Sequence, residues 1–298
     1  MTAAAPSPRS QADLELIVLT YNSQFWLKKT LETLQEYFLA STDLKVKTVV
    51  VDNCSNDDTV QMVKREFKWV NLLELEKNYG FSAGNNFALD QATGRYVMLL
   101  NSDMEFTPLS DLDVLVNFMD KHPDAGMITP RVEFTSGELD PACHRGEPTL
   151  WAAFTYFTKL ERIFPRTKLF GQYHQFYKDL DSIHTVDACS GAAMMVRQTA
   201  LEKVGLLDER FFMYAEDLDW CRRFRDAGFK IIYHPETKII HHKYKSGIKS
   251  ASKKIATQTN LHFYDTMLQY YDKHYAQQHP KFVRTFIRYF LAIKKEGA

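Results

Sequence analysis

Apolar positions along the chain come in blocks whose spacing switches between strand and helix periods. Leu14–Thr20 is a short apolar run, and Phe25–Ala40 carries helical spacing at Leu27, Leu31, Leu34 and Phe38. Val46–Val51 is a β-branched run, Asp57–Phe67 reads as helix and Val70–Leu75 as strand. Gly80–Ala92 reads as a helix ending near Gly94, followed by the buried strand Tyr96–Leu100. Strands alternating with helices predict βαβ units and a mostly parallel central sheet flanked by helices, an α/β fold. Residues 134–186 lose this rhythm: Pro141, Pro148 and Pro165 sit among aromatics such as Trp151, Phe154, Tyr156 and Phe157, which predicts irregular structure with short helices. Ala192–Val196 (strand), Glu216–Ala227 (helix), Lys230–Tyr233 and Thr237–Ile240 (strands) follow. Tyr264, Met267, Leu268, Tyr271 and Tyr275 then recur at helical spacing. The expected division is a disordered leader over 1–13, one domain over 14–250 and a C-terminal helical extension over 251–298.

The 298 residues, 45% of them apolar, are enough to bury a sizeable core, which excludes a disordered or fibrous chain. Lys+Arg and Asp+Glu both number 37, so net charge gives no reason to expect nucleic acid. Charge is unevenly spread, however, with a basic surplus from Lys238 onward on an acidic body. Cys54, Cys143, Cys189 and Cys221 show no C-x-x-C spacing and read as reduced thiols. The first residues lack the apolar segment of a signal peptide, and no run approaches the ~20 apolar residues of a membrane span. The expected location is cytoplasmic.

An open parallel sheet binds ligands beyond the carboxyl ends of its strands. The polar clusters fall there: Thr20-Tyr21-Asn22, Asp52-Asn53 and Asn101-Ser102-Asp103. Asp52, in V-V-V-D-N-C-S-N-D-D (49–58), can accept hydrogen bonds from a ribose or base, although the following Ser and Asp residues also suit helix capping. Asp103, in L-L-N-S-D, offers one carboxylate to a divalent cation held against a diphosphate, or simply ends a strand. In A-E-D-L-D-W-C-R-R (215–223), three acids open a helix, where its dipole favours them. A carboxylate in that turn can also serve as a general base. Spacing turns Leu218, Cys221 and Phe224 to the core and leaves Glu216, Asp217 and Asp219 for a cleft or solvent. In I-I-H-H-K-Y-K-S-G (239–247) only one of the adjacent His241 and His242 can face a given site, and lysines such as Lys243 suit phosphate oxygens. No G-x-x-x-x-G-K-[ST] and no G-x-G-x-x-G after the first strand is present, which excludes a P-loop NTPase and a dinucleotide fingerprint.

Taken in order, I-V-L-T-Y-N (17–22), V-V-V-D-N-C-S-N-D-D (49–58), N-Y-G-F-S-A-G-N-N (78–86), G-R-Y-V-M-L-L-N-S-D (94–103), S-G-A-A-M-M-V-R (190–197), G-L-L-D-E-R-F-F-M-Y-A-E-D-L-D-W-C-R-R (205–223) and I-H-H-K-Y-K-S (240–246) resemble an inverting glycosyltransferase of family 2. The F-F-M-Y-A-E-D-L-D-W form is most similar to the bacterial rhamnosyltransferase subgroup. The resemblance implies the GT-A nucleotide-diphospho-sugar transferase fold. It implies that Thr20, Tyr21 and Asn22 line the nucleotide pocket and that Asp52 binds base or ribose. It places Asn78, Gly80, Phe81, Gly84, Asn85 and Ser102 against the donor. Asp103 matches the last acid of the family's D-x-D motif, whose first acid is Asn101 here. His241, or His242, matches the late histidine by the metal, which would be Mg²⁺ or Mn²⁺. Asp217 matches the base, with Glu216 and Asp219 as substitutes. The implied activity is a single displacement moving a sugar, rhamnose from dTDP-rhamnose first, to a glycan or lipid-linked glycan. Alternatives are UDP-galactofuranose, UDP-glucose or UDP-N-acetylglucosamine as donor, or a non-catalytic nucleotide-sugar-binding protein.

A helix from Lys281 to Lys295 would place Phe282, Phe286, Phe290 and Ile293 on one stripe, widened by Val283 and Ile287, with Lys281, Arg284, Arg288 and Lys295 opposite. That pattern predicts peripheral contact with the inner face of the cell membrane; packing on the body or a homodimer contact is the alternative.

Overall fold

The computed structural model describes residues 12–242 and 253–296. Strand β1 (Leu14–Thr20) is followed by α1 (Gln24–Leu34), β2 (Val46–Asp52), α2 (Thr59–Glu66), β3 (Asn71–Glu74), α3 (Gly80–Leu89) and β4 (Tyr96–Asn101). The helix read over 25–40 is α only to Leu34; its last turn, Gln35–Leu39, is a π-helix. These strands form a parallel half-sheet in the order β3-β2-β1-β4. Burial on both faces explains the near-continuous apolar runs of β1, β2 and β4, whereas β3 is only part-buried at the edge. One exception is Glu15, buried in β1, whose carboxylate takes Lys47 at 2.7 Å and the Thr93 amide at 3.1 Å.

Beyond β4 the sheet becomes mixed. The chain adds β5 (Met104–Glu105), α4 (Asp113–Lys121), β6 (Ala125–Phe134), α5 (Leu150–Phe157), α6 (Leu160–Ile163), β7 (His184–Val186), β8 (Ala193–Arg197), α7 (Gln198–Val204), α8 (Glu216–Asp226), β9 (Lys230–His241), α9 (Lys253–His274) and α10 (Lys281–Glu296). The sheet continues β4-β8-β6-β9-β5, with β7 also on β9. Strand β8 runs antiparallel to both neighbours, and β6 and β9 pair in parallel. The two short strands expected at 230–233 and 237–240 are therefore one strand. It skips past β6 by a bulge, where His234 pairs with Pro130 and Lys238 with Arg131. Proline cannot donate to a ladder, and the irregularity falls beside it.

The C-terminal helices are bound to the body. The Tyr270 and Tyr275 hydroxyls donate to Glu147 Oε1 at 2.7 and 2.6 Å, and Arg222 and Arg225 also pair with Glu147. Lys273 bridges Asp208 and Asp219, and His274 Nε2 lies 2.7 Å from Asp219. The expected apolar stripe of α10 divides. Val283 and Ile287 pack against the core, Leu291 is buried, and Phe290 meets Phe157 edge-on, whereas Phe282, Phe286, Tyr289 and Ile293 are exposed. Among the described residues no helix is long and apolar enough to cross a membrane.

Candidate active site

The register of the parallel half brings the polar strand ends together. Thr20 of β1 pairs with Asp52 of β2, and Leu19 with Asn101 of β4. Asp52 Oδ2 accepts the Ser55 amide at 2.9 Å, while Asp52 Oδ1 and Thr20 Oγ1 are buried with no partner among the described residues. Buried polar atoms are normally paired, so two adjacent ones at a strand edge mark a place built for a polar ligand. The flanking loops are laced together. Asn22, in the left-handed region at φ 49°, accepts the Asn56 amide at 2.7 Å and gives its own amide to Ser55 Oγ. Tyr21 beside it is exposed.

Asn53 ties this edge to the next segment, donating to Asn78 Oδ1 and to the Gly80 carbonyl, both at 3.0 Å, and accepting the Tyr79 amide. Gly80 has φ +81°, and a Cβ there would lie 2.4 Å from the Phe212 carbonyl oxygen. Gly84 packs against Leu19 and Asn53. The other polar groups of α3 turn to protein: Asn85 donates to the Phe81 carbonyl, Ser82 to that of Phe211, and Asn86 to that of Leu207. Phe81 itself packs beside Gly191. The stretch 78–86 thus shapes the pocket as a packing hub.

A second group gathers where β4 and β9 end. His241 Nε2 lies 3.2 Å from Asp103 Oδ1, and Nδ1 lies 2.9 Å from Asp140 Oδ2. Asp140 is held by accepting the Ala142 amide. The Ser102 carbonyl accepts from Thr30 Oγ1 at 2.9 Å, which fixes the loop carrying Asp103. Burial alone would lower the His241 pKa, but hydrogen bonds to Asp103 and Asp140 outweigh it and hold the imidazole above its ordinary value. The pocket therefore favours positive charge. A carboxylate beside an imidazole whose second nitrogen rests on another carboxylate is the donor set that suits a divalent cation. Among the described residues no three such side chains are grouped to enclose an ion. Asp103 and His241 would be its protein ligands, leaving most of the coordination sphere to a diphosphate. His242 points elsewhere: its ring lies over Trp26 and Nε2 contacts Glu105. Lys243 lies outside the described residues.

The third group opens α8. Tyr214 and Ala215 both adopt left-handed backbone, φ 72° and 64°, uncommon for residues with a Cβ and costly by about 1 kcal/mol or more each. They lead the chain into α8, whose turn of about 3.6 residues aims its three acids in different directions. Asp217 Oδ2 meets Arg145 Nη2 at 2.6 Å, and the same nitrogen donates to the Cys189 carbonyl. Glu216 is buried with Oε2 unpaired; burial, then the charge of Asp217, pushes its carboxyl well above the usual range. Glu216 is thus the acid whose surroundings disfavour charge, and Asp217 is the one that faces a guanidinium. Asp219 does not serve the cleft, contrary to the helical-wheel expectation. It is buried beneath α9, ringed by Arg223, Lys273 and His274. Arg223 is a neighbour within α8, but the wheel could not foresee Lys273 and His274, which come from a helix some 50 residues later.

Arg145 and Asp140 escaped the sequence reading. Both lie in the proline-rich stretch without periodicity, and their only signal was charge in a segment otherwise full of aromatics.

The pattern for glycosyl transferase family 2 matches residues 15–205. The chain belongs to that family. This glycosyltransferase is 27% identical over 272 residues, 88% of its length and 85% of the relative's, to the N-acetylglucosaminyl-diphospho-decaprenol L-rhamnosyltransferase of Mycobacterium tuberculosis. It is 24% identical over 234 residues to the rhamnosyltransferase WbbL of Escherichia coli, spanning 76% of this chain and 82% of WbbL. Among solved structures, the transferase shares its GT-A fold with the mannosyltransferase PcManGT of Pyrobaculum calidifontis in complex with GDP-Man and Mn²⁺. That match has a TM-score of 0.56 at 18% identity and covers 95% of this chain and 70% of that one. Residues 1–349 of Staphylococcus aureus TarS with UDP-GlcNAc match at 0.53 and 19% identity, over 84% and 66%.

Proposed function

We propose that this glycosyltransferase inverts configuration while moving rhamnose from dTDP-rhamnose to a hydroxyl of a lipid-linked glycan. The observation that carries the reading is the Asp217–Arg145 pair at the head of α8, a carboxylate oriented by a guanidinium beside a buried Glu216 whose ionisation is disfavoured. In this reading Asp217 takes the proton of the attacking hydroxyl, and Arg145 fixes the rotamer of Asp217. Thr20 and Asp52 receive the nucleoside with their unpaired oxygens. Asp103 and His241 hold Mg²⁺ or Mn²⁺, which when bound neutralises the departing diphosphate. Two relatives aligned over most of this chain are rhamnosyltransferases, and this supports the choice of sugar.

Donor profiling tests the reading. The protein is incubated with dTDP-rhamnose, UDP-galactofuranose, UDP-glucose, UDP-N-acetylglucosamine and GDP-mannose, with and without metal. Donor hydrolysis and thermal shift are then measured. Activity with dTDP-rhamnose and loss of turnover in Asp217→Asn are expected; preference for another donor overturns the sugar, and full turnover by Asp217→Asn overturns the base.

The exposed Phe282, Phe286, Tyr289 and Ile293, on a helix that also carries Lys281, Arg288 and Lys294, support peripheral contact with an anionic membrane, while Arg284 and Lys295 pair with Asp272 and Asp265. Flotation with anionic vesicles that is unchanged by Phe282→Ser with Phe286→Ser would remove this contact.

A further inference from the structure

An apolar cavity of about 390 Å³ lies between α5, α9, α10 and the first turn of α8. It is partly open to solvent, a groove rather than an interior void. Its walls include Phe154, Phe157, Met267, Tyr271, Ile287 and Leu291. Tyr270 and Tyr275 also line it, but their hydroxyls are committed to Glu147. Such a surface hydrates poorly and accepts hydrocarbon.

Two further observations say which hydrocarbon. Ala215 and Leu218 belong to the wall, and they bracket Asp217 within one helical turn. The cavity also continues into an apolar exterior: Phe154 and Phe286 line it yet are half or more exposed, and Phe282, Tyr289 and Ile293 extend the same helix face outward. We infer that this cavity receives the hydrocarbon chain of a lipid-linked acceptor, drawn from the membrane surface, and so delivers the sugar hydroxyl of the same molecule to Asp217. The inference rests on the reading of Asp217 as the base. The Mycobacterium tuberculosis relative, whose name specifies a diphospho-decaprenol substrate, offers a chain of the matching chemistry.

The test uses the full chain in mild detergent and two probes, decaprenyl phosphate and the short-chain geranyl phosphate, with binding read by tryptophan fluorescence. Ala153→Trp fills the cavity from α5, and Val283→Trp fills it independently from α10; each is checked for a wild-type melting profile. Leu109→Ser, at an exposed position that does not line the cavity, is the control. Decaprenyl phosphate should bind the wild type at least about tenfold more tightly than geranyl phosphate, since each methylene taken from water adds affinity. Either filling variant that folds should lose about tenfold or more of that affinity, while nucleotide binding and the control stay unchanged. Equal affinity for the two probes, or unaltered decaprenyl phosphate binding in a folded filling variant, overturns the inference. So does a concentration-dependent dimer that the filling variants dissociate, which would make a second copy the occupant. The outcomes separate the two readings. Decaprenyl phosphate binding without turnover of any nucleotide sugar leaves the cavity assignment standing and sinks the reaction; transfer to acceptors irrespective of chain length does the reverse.

Discussion

Replacing Arg145 by methionine strands the carboxylate of Asp217 in a site where only 13% of its side chain meets solvent. The two charges sit 2.6 Å apart, atom to atom. With about 4 Å between charge centres and an effective dielectric of about 20, their attraction is roughly 4 kcal/mol, and desolvation of both ions cancels most of it. Removing one partner leaves the other's desolvation uncompensated, at about 3–5 kcal/mol. A stranded carboxylate can protonate instead. From the ordinary aspartate value near 3.9, that costs about 4 kcal/mol at pH 7, which caps the penalty of Arg145→Met. The cap falls by about 1.4 kcal/mol per pH unit, so the penalty should be far smaller at pH 5. Asp217→Asn keeps an acceptor oxygen for Arg145 and should cost about 2–3 kcal/mol with little pH dependence. The double variant removes both charges and should cost less than the sum of the single variants by about 2 kcal/mol or more. Urea unfolding of the four proteins at pH 7 and pH 5 measures all of these values. Penalties that add within about 0.5 kcal/mol, or an Arg145→Met penalty that does not change with pH, would refute the pair as a buried, mutually dependent unit.

Asp140→Asn removes the carboxylate behind His241 without touching a proposed ligand, and should weaken metal-dependent nucleotide binding by about 10–100-fold, read by calorimetry with and without EDTA. Gly80→Ala puts a Cβ into the Phe212 carbonyl at a left-handed position and should lower stability by about 2–4 kcal/mol, visible as a fall in Tm. Acid should loosen the C-terminal helices. Burial opposes ionisation of Glu147, but Tyr275, Arg225, Tyr270 and Arg222 outweigh it; Arg210 and Lys273 lower Asp208; and His274 and Lys273 overcome the burial of Asp219. All three carboxyls thus titrate below their unfolded values of 4.5, 3.8 and 3.8. The stability they contribute is complete above those values and is lost as pH falls through the lower folded ones. Proteolysis of α9 and α10 should therefore accelerate below about pH 4, and Glu147→Gln should flatten that dependence; an unchanged profile would exclude Glu147 as the clasp.

The parallel half was legible because β1, β2 and β4 are covered on both faces, so each is mostly apolar and ends in polar residues at one edge. Helix α4 carries the same kind of signal in Leu115, Val116 and Met119, which are buried at helical spacing, but no element was expected there. Strand β6 was hidden by Pro130, which reads as a strand breaker until its place at a bulge is seen. The site divides likewise. Asp52, Asp103, Asp217 and His241 sit at element ends, where local sequence announces them. Arg145, Asp140 and the burial of Asp219 depend on pairings 72, 101 and 55 residues apart, and no local pattern encodes them.

Everything from β1 to β4 is one unbroken length of chain and one side of the sheet. Helix α3 fastens it to the remainder through Phe81, Ser82 and Asn86, which bond the main chain at Phe212, Phe211 and Leu207. Nearly all of these bonds end on backbone atoms, so they demand a loop path of the partner segment rather than particular side chains. A genetic crossover just past Asp103 would keep these bonds, while a foreign back half would still have to supply partners for side chains such as Arg95 and Tyr96, which meet Asp120, and for Asp103, which meets His241. On the proposed reading, such exchange lets a lineage change what it glycosylates while keeping the sugar it spends.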